Sequence, residues 1–317
     1  MAEREPIGVI SIGSNDIHLL VAACDGVATF ERHVNQSMLA ELVGAVKGAV
    51  IPIKALSQAL QDLDTLVKAA RAAGTTTIIA IATEAMREVT NGPVFIDLVG
   101  RTLGIESVLI SGQEEAGLDY GWATFPPVLQ TPLLVVDSGG GSTQAIQGEG
   151  PAPAFAKSLP VGAGNMTKQF LAHDPPTLEE IQALNDHISV LVNTLPVVLP
   201  PRSAILMGGS ADHLLQFTGD PTKHIMTRDD LHHALSHLVK KPAKEIVRDY
   251  VMQVERARLL PAGAVILTNA LVRYGMDEAH VKPNGIRGGL AVSFARHGDD
   301  WRKNLPLPPA PDQAKSA

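Results

Sequence analysis

The sequence predicts an α/β protein built from two domains of like design. A strand, a turn of glycine and hydroxyl residues, and a second strand occur over Ile7–Ala23 and again over Leu133–Gln147. Helix-periodic stretches rich in alanine and leucine alternate with short apolar runs through the rest of the chain. The 317 residues suffice for two hydrophobic cores. We therefore expect domains at 1–127 and 128–300 around a shared cleft, followed by a disordered tail at 301–317.

The first half is predicted to alternate strands with helices. Its first strand is β-branched and apolar, and its first helix carries leucine and alanine at helical spacing up to Gly74. The predicted strands are Ile7–Ile12, Thr75–Ala82 and Glu106–Ile110, and the predicted helices are Lys54–Ala73, Gly92–Leu103 and Gly112–Phe125. Pro126–Pro127 breaks the chain near the expected domain boundary.

The second half begins with the same layout and continues mainly as helices. Strands are predicted at Leu133–Asp137 and Thr143–Gln147, and a further strand at Ser203–Met207 runs into another glycine turn. The predicted helices are Leu178–Leu195, Asp229–Lys240, Ala243–Gln253, Ala262–Tyr274 and Gly285–His297. The last of these is a candidate to pack back on the first domain.

Composition narrows the classes of partner. The net charge of -7 gives no overall attraction to nucleic acid or to an anionic membrane. Aromatic residues make up 4%, too few for base-stacking platforms, and the single cysteine, Cys24, excludes an intrachain disulfide. The N-terminus lacks the apolar core of a signal peptide, and no apolar run is long enough to span a bilayer. A cytoplasmic protein is expected.

The stretch Leu133–Gln144 carries the most informative chemistry. A buried apolar strand delivers Asp137 to its end, and Gly139–Gly140–Gly141 with Ser142 and Thr143 follow at once. Consecutive glycines let backbone N–H groups converge on an anion, and the two hydroxyls can donate to phosphate oxygens. A carboxylate beside such a nest suits a phosphate bridged by a cation. The alternative is a simple turn between two strands.

Two further features point to phosphate chemistry. Glu114–Glu115 opens a helix, where a carboxylate could orient a water for attack on phosphorus or could merely complement the helix dipole. Arg87 follows a strand, and its planar fork suits a phosphate, although a surface ion pair with Glu84 or Glu88 is the alternative. His233 and His237 are four residues apart on a predicted helix, a spacing that can bind zinc. The intervening glutamate of a zincin motif is missing, so we interpret them as part of a solvated helix face.

Taken together, these segments resemble the exopolyphosphatase/guanosine pentaphosphate phosphohydrolase family, in its short two-domain form. The match covers nearly all of residues 6–297 and is specific only as a set. Its main motifs are Ile12–Gly13–Ser14–Asn15, Ala82–Thr83–Glu84–Ala85–Met86–Arg87, Ile110–Ser111–Gly112–Gln113–Glu114–Glu115–Ala116, Val136–Asp137–Ser138–Gly139–Gly140–Gly141–Ser142–Thr143 and Ser158–Leu159–Pro160–Val161–Gly162–Ala163.

The resemblance implies two actin-like (ribonuclease-H-like) ATPase-type domains around an interdomain cleft. It also implies hydrolysis of a terminal phosphoanhydride of inorganic polyphosphate or guanosine pentaphosphate with Mg²⁺ or Mn²⁺, usually by a homodimer. Glu115 would activate water, and Asp137 and Glu115 would be the metal ligands. The implied phosphate-binding residues are Ser14, Asn15, Arg87, Gly139, Gly140, Gly141 and Ser142, with Thr143 added from its hydroxyl chemistry.

Several departures from the family pattern favour a rival function. Ser11 and Gln144 stand where the family has acidic residues, Asn165 where it has arginine, and Gly288 where it has glutamate. Neutral oxygen ligands hold a hard dication more weakly than carboxylates do. The rival is therefore a catalytically weakened or inactive protein that binds polyphosphate or guanosine tetraphosphate. A sugar or acetate kinase of the actin-like class is a weaker third option.

Overall fold

The computed structural model describes residues 5–14, 16–39, 48–127 and 129–309. They form two compact units. The first unit combines the described residues up to 127 with Asn284–Pro308, and the second runs from Leu129 to Pro283. The last helix thus belongs to the first unit.

A mixed sheet forms the centre of the first unit. Its strands are β1 (Ile7–Ile12), β2 (Asp16–Cys24), β3 (Phe30–Leu39), β4 (Thr77–Ala82) and β5 (Glu106–Leu109). Their order is β3-β2-β1-β4-β5, with β1, β4 and β5 parallel and β1, β2 and β3 antiparallel. Every residue of β1 is buried, as its apolar sequence requires of a central strand covered on both faces.

Helices cover this sheet. They are α1 (Ile53–Ala72), α2 (Glu84–Glu88), α3 (Gly92–Leu103), α4 (Gly112–Ala123) and, from the end of the chain, α11 (Gly285–His297). The close approach of α11 to α4 depends on glycine. A Cβ on Gly289 would lie 2.0 Å from the carbonyl oxygen of Leu118, and one on Gly288 would lie 2.5 Å from the ring of Trp122.

The second unit is built on another mixed sheet. Its strands are β6 (Leu133–Ser138), β7 (Thr143–Gly148), β8 (Pro153–Leu159), β9 (Ser203–Met207), β10 (Ile225–Thr227) and β11 (Glu278–Val281), in the order β10-β11-β9-β6-β7-β8. Strands β6, β9 and β11 are parallel, so their carboxyl ends share one edge. Asp137 of β6 lies opposite Met207 of β9 and Gln144 of β7.

The helices of the second unit pack around a large apolar core. They are α5 (Ala163–Phe170), α6 (Leu178–Val192), α7 (Gly209–Leu214), α8 (Arg228–Leu238), α9 (Ala243–Asp249) and α10 (Val254–Arg273). Helix α10 begins eight residues before the predicted start at Ala262. It continues through the buried Pro261, although proline forfeits one hydrogen bond of the helical ladder.

The prediction of a disordered tail from residue 301 is wrong for 301–309. Trp301 is only 1% exposed, its indole N–H donates to Glu106 at 3.2 Å, and its carbonyl accepts from the hydroxyl of Ser293 at 2.9 Å. Burying so large an aromatic side chain orders the segment around it. Residues 310–317 lie outside the described residues.

Among the described residues, no helix is both long enough and apolar enough to cross a membrane. The fold class predicted from the sequence, α/β with two sheet-and-helix domains, is confirmed by this architecture.

Candidate active site

The loop Gly139–Ser142, called the glycine loop below, joins β6 to β7 in the second unit. The buried apolar run Leu133–Val136 fixes β6 in the sheet, and this places the half-buried Asp137 near the carboxyl end of the strand. The N–H of Gly139 donates to the carbonyl of Ser142 at 2.9 Å, which closes the loop. The loop thus leaves the sheet edge directly beside Asp137.

The carbonyl groups of the three glycines in the glycine loop accept hydrogen bonds from the start of α5. Gly139 O accepts from Ala163 N at 3.0 Å, and Gly140 O accepts from Gly164 N at 2.9 Å and from Asn165 N at 3.0 Å. The carbonyl of Gly141 accepts from the side-chain amide of Asn165 at 2.8 Å. Helix α5 therefore fixes the orientation of three successive peptide groups.

This orientation decides where the N–H groups of the loop point. In a trans peptide the N–H lies opposite the C=O, so the N–H groups of Gly140, Gly141 and Ser142 point away from α5. Successive N–H groups aimed to one side form an anion-binding nest. The carbonyls of Gly139, Gly140 and Gly141 are engaged on the α5 side, and this arrangement favours the nest over a simple turn.

The glycine loop also rests directly on Gly162. A Cβ at Gly162 would lie 2.5 Å from both the carbonyl carbon of Gly140 and the nitrogen of Gly141. Asn165 ties the two segments together, because its Oδ1 accepts from the N–H of Gly162 at 2.8 Å. Asn165, where the family pattern has arginine, thus holds both the loop and the residue beneath it.

The hydroxyls of Ser142 and Thr143 differ in their use. The Thr143 hydroxyl donates to the carbonyl of Val161 at 2.6 Å, inside the protein. Because a hydroxyl has one proton, the predicted donation from Thr143 to phosphate does not fit this placement. The Ser142 oxygen accepts from the side-chain amide of Gln144 at 3.2 Å, so Gln144 supports the loop from β7.

A second glycine turn follows β9 and contacts Asp137. Gly208 has φ of 91°, and a Cβ there would lie 2.6 Å from Oδ1 of Asp137. A Cβ at Gly209 would lie 2.9 Å from Nη1 of Arg256. A carboxylate and a guanidinium therefore lie against the two glycines. Arg256 was not among the predicted site residues, because only this long-range contact reveals its position.

Lys282 lies at the same sheet edge. Val281 pairs with Leu206 in parallel register, and the N–H of Lys282 donates to Leu206 O at 3.0 Å. Burial lowers the pKa of Lys282 to about 8. Asp137 and Lys282 thus lie at the carboxyl ends of β6 and β11, and Arg256 of α10 lies against the glycine turn that follows β9.

In the first unit, the structure brings Arg87 and Glu115 together. Both terminal nitrogens of Arg87 lie 3.3 Å from Oε2 of Glu115, and its Nη1 also donates to Ile110 O at 2.5 Å. Glu115 is 7% exposed and lies in the first turn of α4. The predicted alternative for Arg87, an ion pair with Glu84 or Glu88, is replaced by this pair with Glu115.

The start of α4 is fixed by a capping box. The hydroxyl of Ser111 accepts from the N–H of Glu114 at 3.2 Å, and the Glu114 carboxylate accepts from the N–H of Ser111 at 2.7 Å. Reciprocal bonds of this kind satisfy two N–H groups that a helix start leaves open. Glu115 is the next residue, so the capping box sets the direction in which it leaves the helix.

The turn between β1 and β2 contains the remaining predicted residues. The N–H of Gly13 donates to Asp16 O at 3.0 Å and closes the turn, in which Ser14 is half-buried. Asn15 lies outside the described residues. Ser11 is 4% exposed, and its hydroxyl accepts from Nη1 of Arg287 at 3.0 Å. Ser11, which stands where the family pattern has an acidic residue, therefore has the cationic side chain of Arg287 as its neighbour.

Asp137 suits a divalent metal better than Glu115 does. In the part of the chain that the structure describes, no three His, Cys, Asp or Glu side chains gather as a metal site. Glu115 has a guanidinium at 3.3 Å, which repels a second cation. Asp137 beside the glycine loop fits a Mg²⁺ ion that arrives with phosphate, since Mg²⁺ often takes one or two carboxylates and substrate oxygens.

A solved structure of another protein has the same fold as this chain. The structure of an Aquifex aeolicus member of the Ppx/GppA family superposes with a TM-score of 0.76 at 24% identity, covering 93% of this chain and 99% of that one. Two mixed sheets with glycine turns at their strand ends define an α/β protein of the actin-like class. The predicted actin-like fold is thereby confirmed.

A family model identifies the family of this chain. The family model for the Ppx/GppA phosphatase family matches residues 29–297, and the chain belongs to this family. An uncharacterized protein of Streptomyces coelicolor, SCO0757, is 26% identical, with 96% of each chain covered. Exopolyphosphatase 1 of Mycobacterium tuberculosis is 24% identical over 90% of this chain and 87% of its own. Guanosine-5'-triphosphate,3'-diphosphate pyrophosphatase of Vibrio atlanticus is 25% identical over 93% of this chain and 59% of its own.

Proposed function

We propose that this protein is an exopolyphosphatase, which hydrolyses the terminal phosphoanhydride of inorganic polyphosphate by attack of water. The observation that carries the proposal is the glycine loop. The carbonyls of its three glycines are engaged by α5, and the N–H groups of Gly140, Gly141 and Ser142 point to the opposite side, in the loop that follows Asp137. Such a nest suits a phosphate group, and the relatives named exopolyphosphatase support polyphosphate as its source.

The transferred phosphoryl group carries charge on its peripheral oxygens in the transition state, so fixed donors aimed at those oxygens lower the barrier. We assign this role to the N–H groups of Gly140, Gly141 and Ser142. Arg256 and Lys282 add positive charge at the same sheet edge of the second unit. Because the loop is held by α5, its donors need no reorganisation when the phosphate arrives.

We assign the activation of water to Glu115. Arg87 holds one carboxylate oxygen of Glu115, and the capping box fixes the helix turn from which the side chain leaves. A carboxylate oriented in this way can accept a proton from water as the nucleophile approaches phosphorus. Ser14, Asn15 and Arg87 remain proposed phosphate contacts on the strength of the family resemblance.

A divalent cation, Mg²⁺ or Mn²⁺, fits this proposal as a partner of the substrate. Asp137 would hold it together with phosphate oxygens, and Glu115 is the less suitable ligand because of Arg87. When bound, the ion would neutralise charge on the phosphate chain. Guanosine pentaphosphate is the second candidate substrate, supported by the pyrophosphatase relative. A homodimer stays a prediction.

A specific observation favours the rival, a protein that binds polyphosphate or guanosine tetraphosphate with little or no catalysis. Gln144 lies directly opposite Asp137, and its amide is used to support Ser142. Ser11 contacts Arg287 through a neutral hydroxyl. Both positions lack the second carboxylate that would strengthen a cation site. Binding through the glycine loop needs neither carboxylate.

The test is orthophosphate release from long-chain polyphosphate with Mg²⁺ or Mn²⁺. We expect release by the wild type, and a fall of about a hundredfold or more in Glu115→Gln, the usual scale for loss of a general base. Glu31→Gln is the matched control, because Glu31 is an exposed residue of β3 in the same unit. Polyphosphate binding without any release would establish the rival. Equal release by Glu115→Gln would remove Glu115 from the mechanism.

A further inference from the structure

The connection between β5 and α4 is held by two arginines that use the same arrangement. Arg87 contacts the carbonyl of Ile110 and the carboxylate of Glu115, as described above. Arg302 does the same one residue earlier along the chain. Its Nη2 donates to the carbonyl of Leu109 at 3.2 Å and to Oε2 of Glu114 at 3.1 Å. Each arginine thus joins one backbone carbonyl at the end of β5 to one carboxylate at the start of α4.

The contact between Arg302 and Glu114 is a bidentate one. The Nε of Arg302 donates to Oε1 of Glu114 while Nη2 donates to Oε2, so the planar guanidinium lies against the planar carboxylate. This geometry restricts both side chains more than a single contact would. Glu114 also accepts the N–H of Ser111, so one carboxylate joins the tail of the chain to the start of α4.

The segment that supplies Arg302 is itself packed against the first unit. Trp301 is buried, and its indole N–H donates a hydrogen bond to the carboxylate of Glu106 at the start of β5. Further along, the carbonyl of Pro306 lies so close to α4 that a Cβ on Gly117 would be 3.0 Å from it. Arg302 is therefore delivered by an ordered segment that contacts both β5 and α4.

Burial alone would raise the pKa of Glu114. The hydrogen bonds from Arg302 and from Ser111 outweigh it and hold the pKa below its usual value. Glu114 is thus ionised at neutral pH and remains a partner for the guanidinium. Without Arg302, a negative charge would remain at Glu114, immediately before the carboxylate of Glu115.

We propose that Arg302 is a positioning residue, which acts through Glu114 to fix the first turn of α4 and so the direction of Glu115. This inference rests on the proposed role of Glu115. Glu114 and Glu115 are consecutive residues of the same helical turn. If loss of Arg302 lets this turn rotate, Glu115 is also displaced from Arg87. Displacement of a catalytic group by about 1 Å can lower the rate about a hundredfold.

The first experiment compares Arg302→Gln with Lys303→Gln. Lys303 is exposed, and its ammonium pairs with Asp300 three residues earlier, so its variant makes the same charge change at the residue next to Arg302. We expect kcat on polyphosphate to fall about tenfold to a hundredfold in Arg302→Gln with KM little changed, and Lys303→Gln to match the wild type. Arg302→Lys should recover only part of the loss, because lysine lacks the bidentate fork.

A double variant tests whether Arg302 acts through Glu114. Once Glu114→Gln has removed the carboxylate, adding Arg302→Gln should cost little more, whereas independent residues would give additive losses. Additive losses in the double variant would overturn the proposal.

Hydrogen exchange in the same variants separates this inference from the proposed function. We expect faster exchange at Ser111–Glu115 in Arg302→Gln and unchanged exchange in Lys303→Gln. If the wild type releases no phosphate, the exchange data still decide whether Arg302 fixes the turn. Unchanged exchange at Ser111–Glu115 in Arg302→Gln would overturn the inference whatever the activity.

Discussion

Gly162→Ala tests the support of the glycine loop. Alanine suits the backbone, because Gly162 has extended angles of φ -131° and ψ 161°, so the substitution alone should stabilise slightly. The added Cβ, however, would lie 2.5 Å from the backbone atoms of Gly140 and Gly141. An ordinary carbon contact needs about 3.5 Å, so the loop must move by roughly 1 Å. Overpacking of this kind costs about 1–3 kcal/mol.

The assay has two parts, urea unfolding and titration with polyphosphate. We expect Gly162→Ala to lose about 1–3 kcal/mol of stability and to bind polyphosphate about tenfold more weakly, because the displaced N–H groups no longer converge. Gly150→Ala is the control, since nothing lies within 4 Å of a Cβ there. If Gly162→Ala binds polyphosphate as the wild type does, the glycine loop is not the phosphate site.

Four further variants test other residues of the candidate site. Asn165→Asp keeps the oxygen that accepts from the N–H of Gly162 but loses the amide that donates to the carbonyl of Gly141. We therefore expect calorimetry to show about tenfold weaker polyphosphate binding. The pKa of Lys282 is lowered to about 8 in the folded protein, so above that pH the unfolded chain binds more protons than the folded one. The free energy of unfolding should therefore rise between about pH 8 and pH 10. We expect Lys282→Met to remove this rise, measured as the urea midpoint. Ser11→Asp should pair with Arg287 and leave Mg²⁺ affinity unchanged, whereas Gln144→Glu, beside Asp137, should raise it in a calorimetric titration.

Much of the fold follows from local patterns in the sequence. The apolar run of β1, the helical spacing of leucines in α1 and the capping residues before α4 each determine an element within a few residues of its own position. Strand β3 was missed because its residues are mostly polar and exposed, so no buried face marks it. The tail at Trp301 was missed because its proline-rich surroundings resemble a disordered segment.

The candidate site was predicted where its residues form motifs, and missed where they act at long range. Asp137 and the glycine loop are contiguous, and their residue types indicate the chemistry directly. Arg256 and Arg302 are single arginines whose partners lie far away in the chain. No local pattern distinguishes them from exposed arginines, because their role depends on which backbone they meet after folding.

The central claim, that this protein removes terminal phosphate from polyphosphate with water as the nucleophile, is tested most directly by hydrolysis in oxygen-18 water. We expect each released orthophosphate to carry one oxygen from solvent, and the polyphosphate chains to shorten progressively from their ends. Bound polyphosphate that stays intact, or release without incorporation of solvent oxygen, would contradict the account.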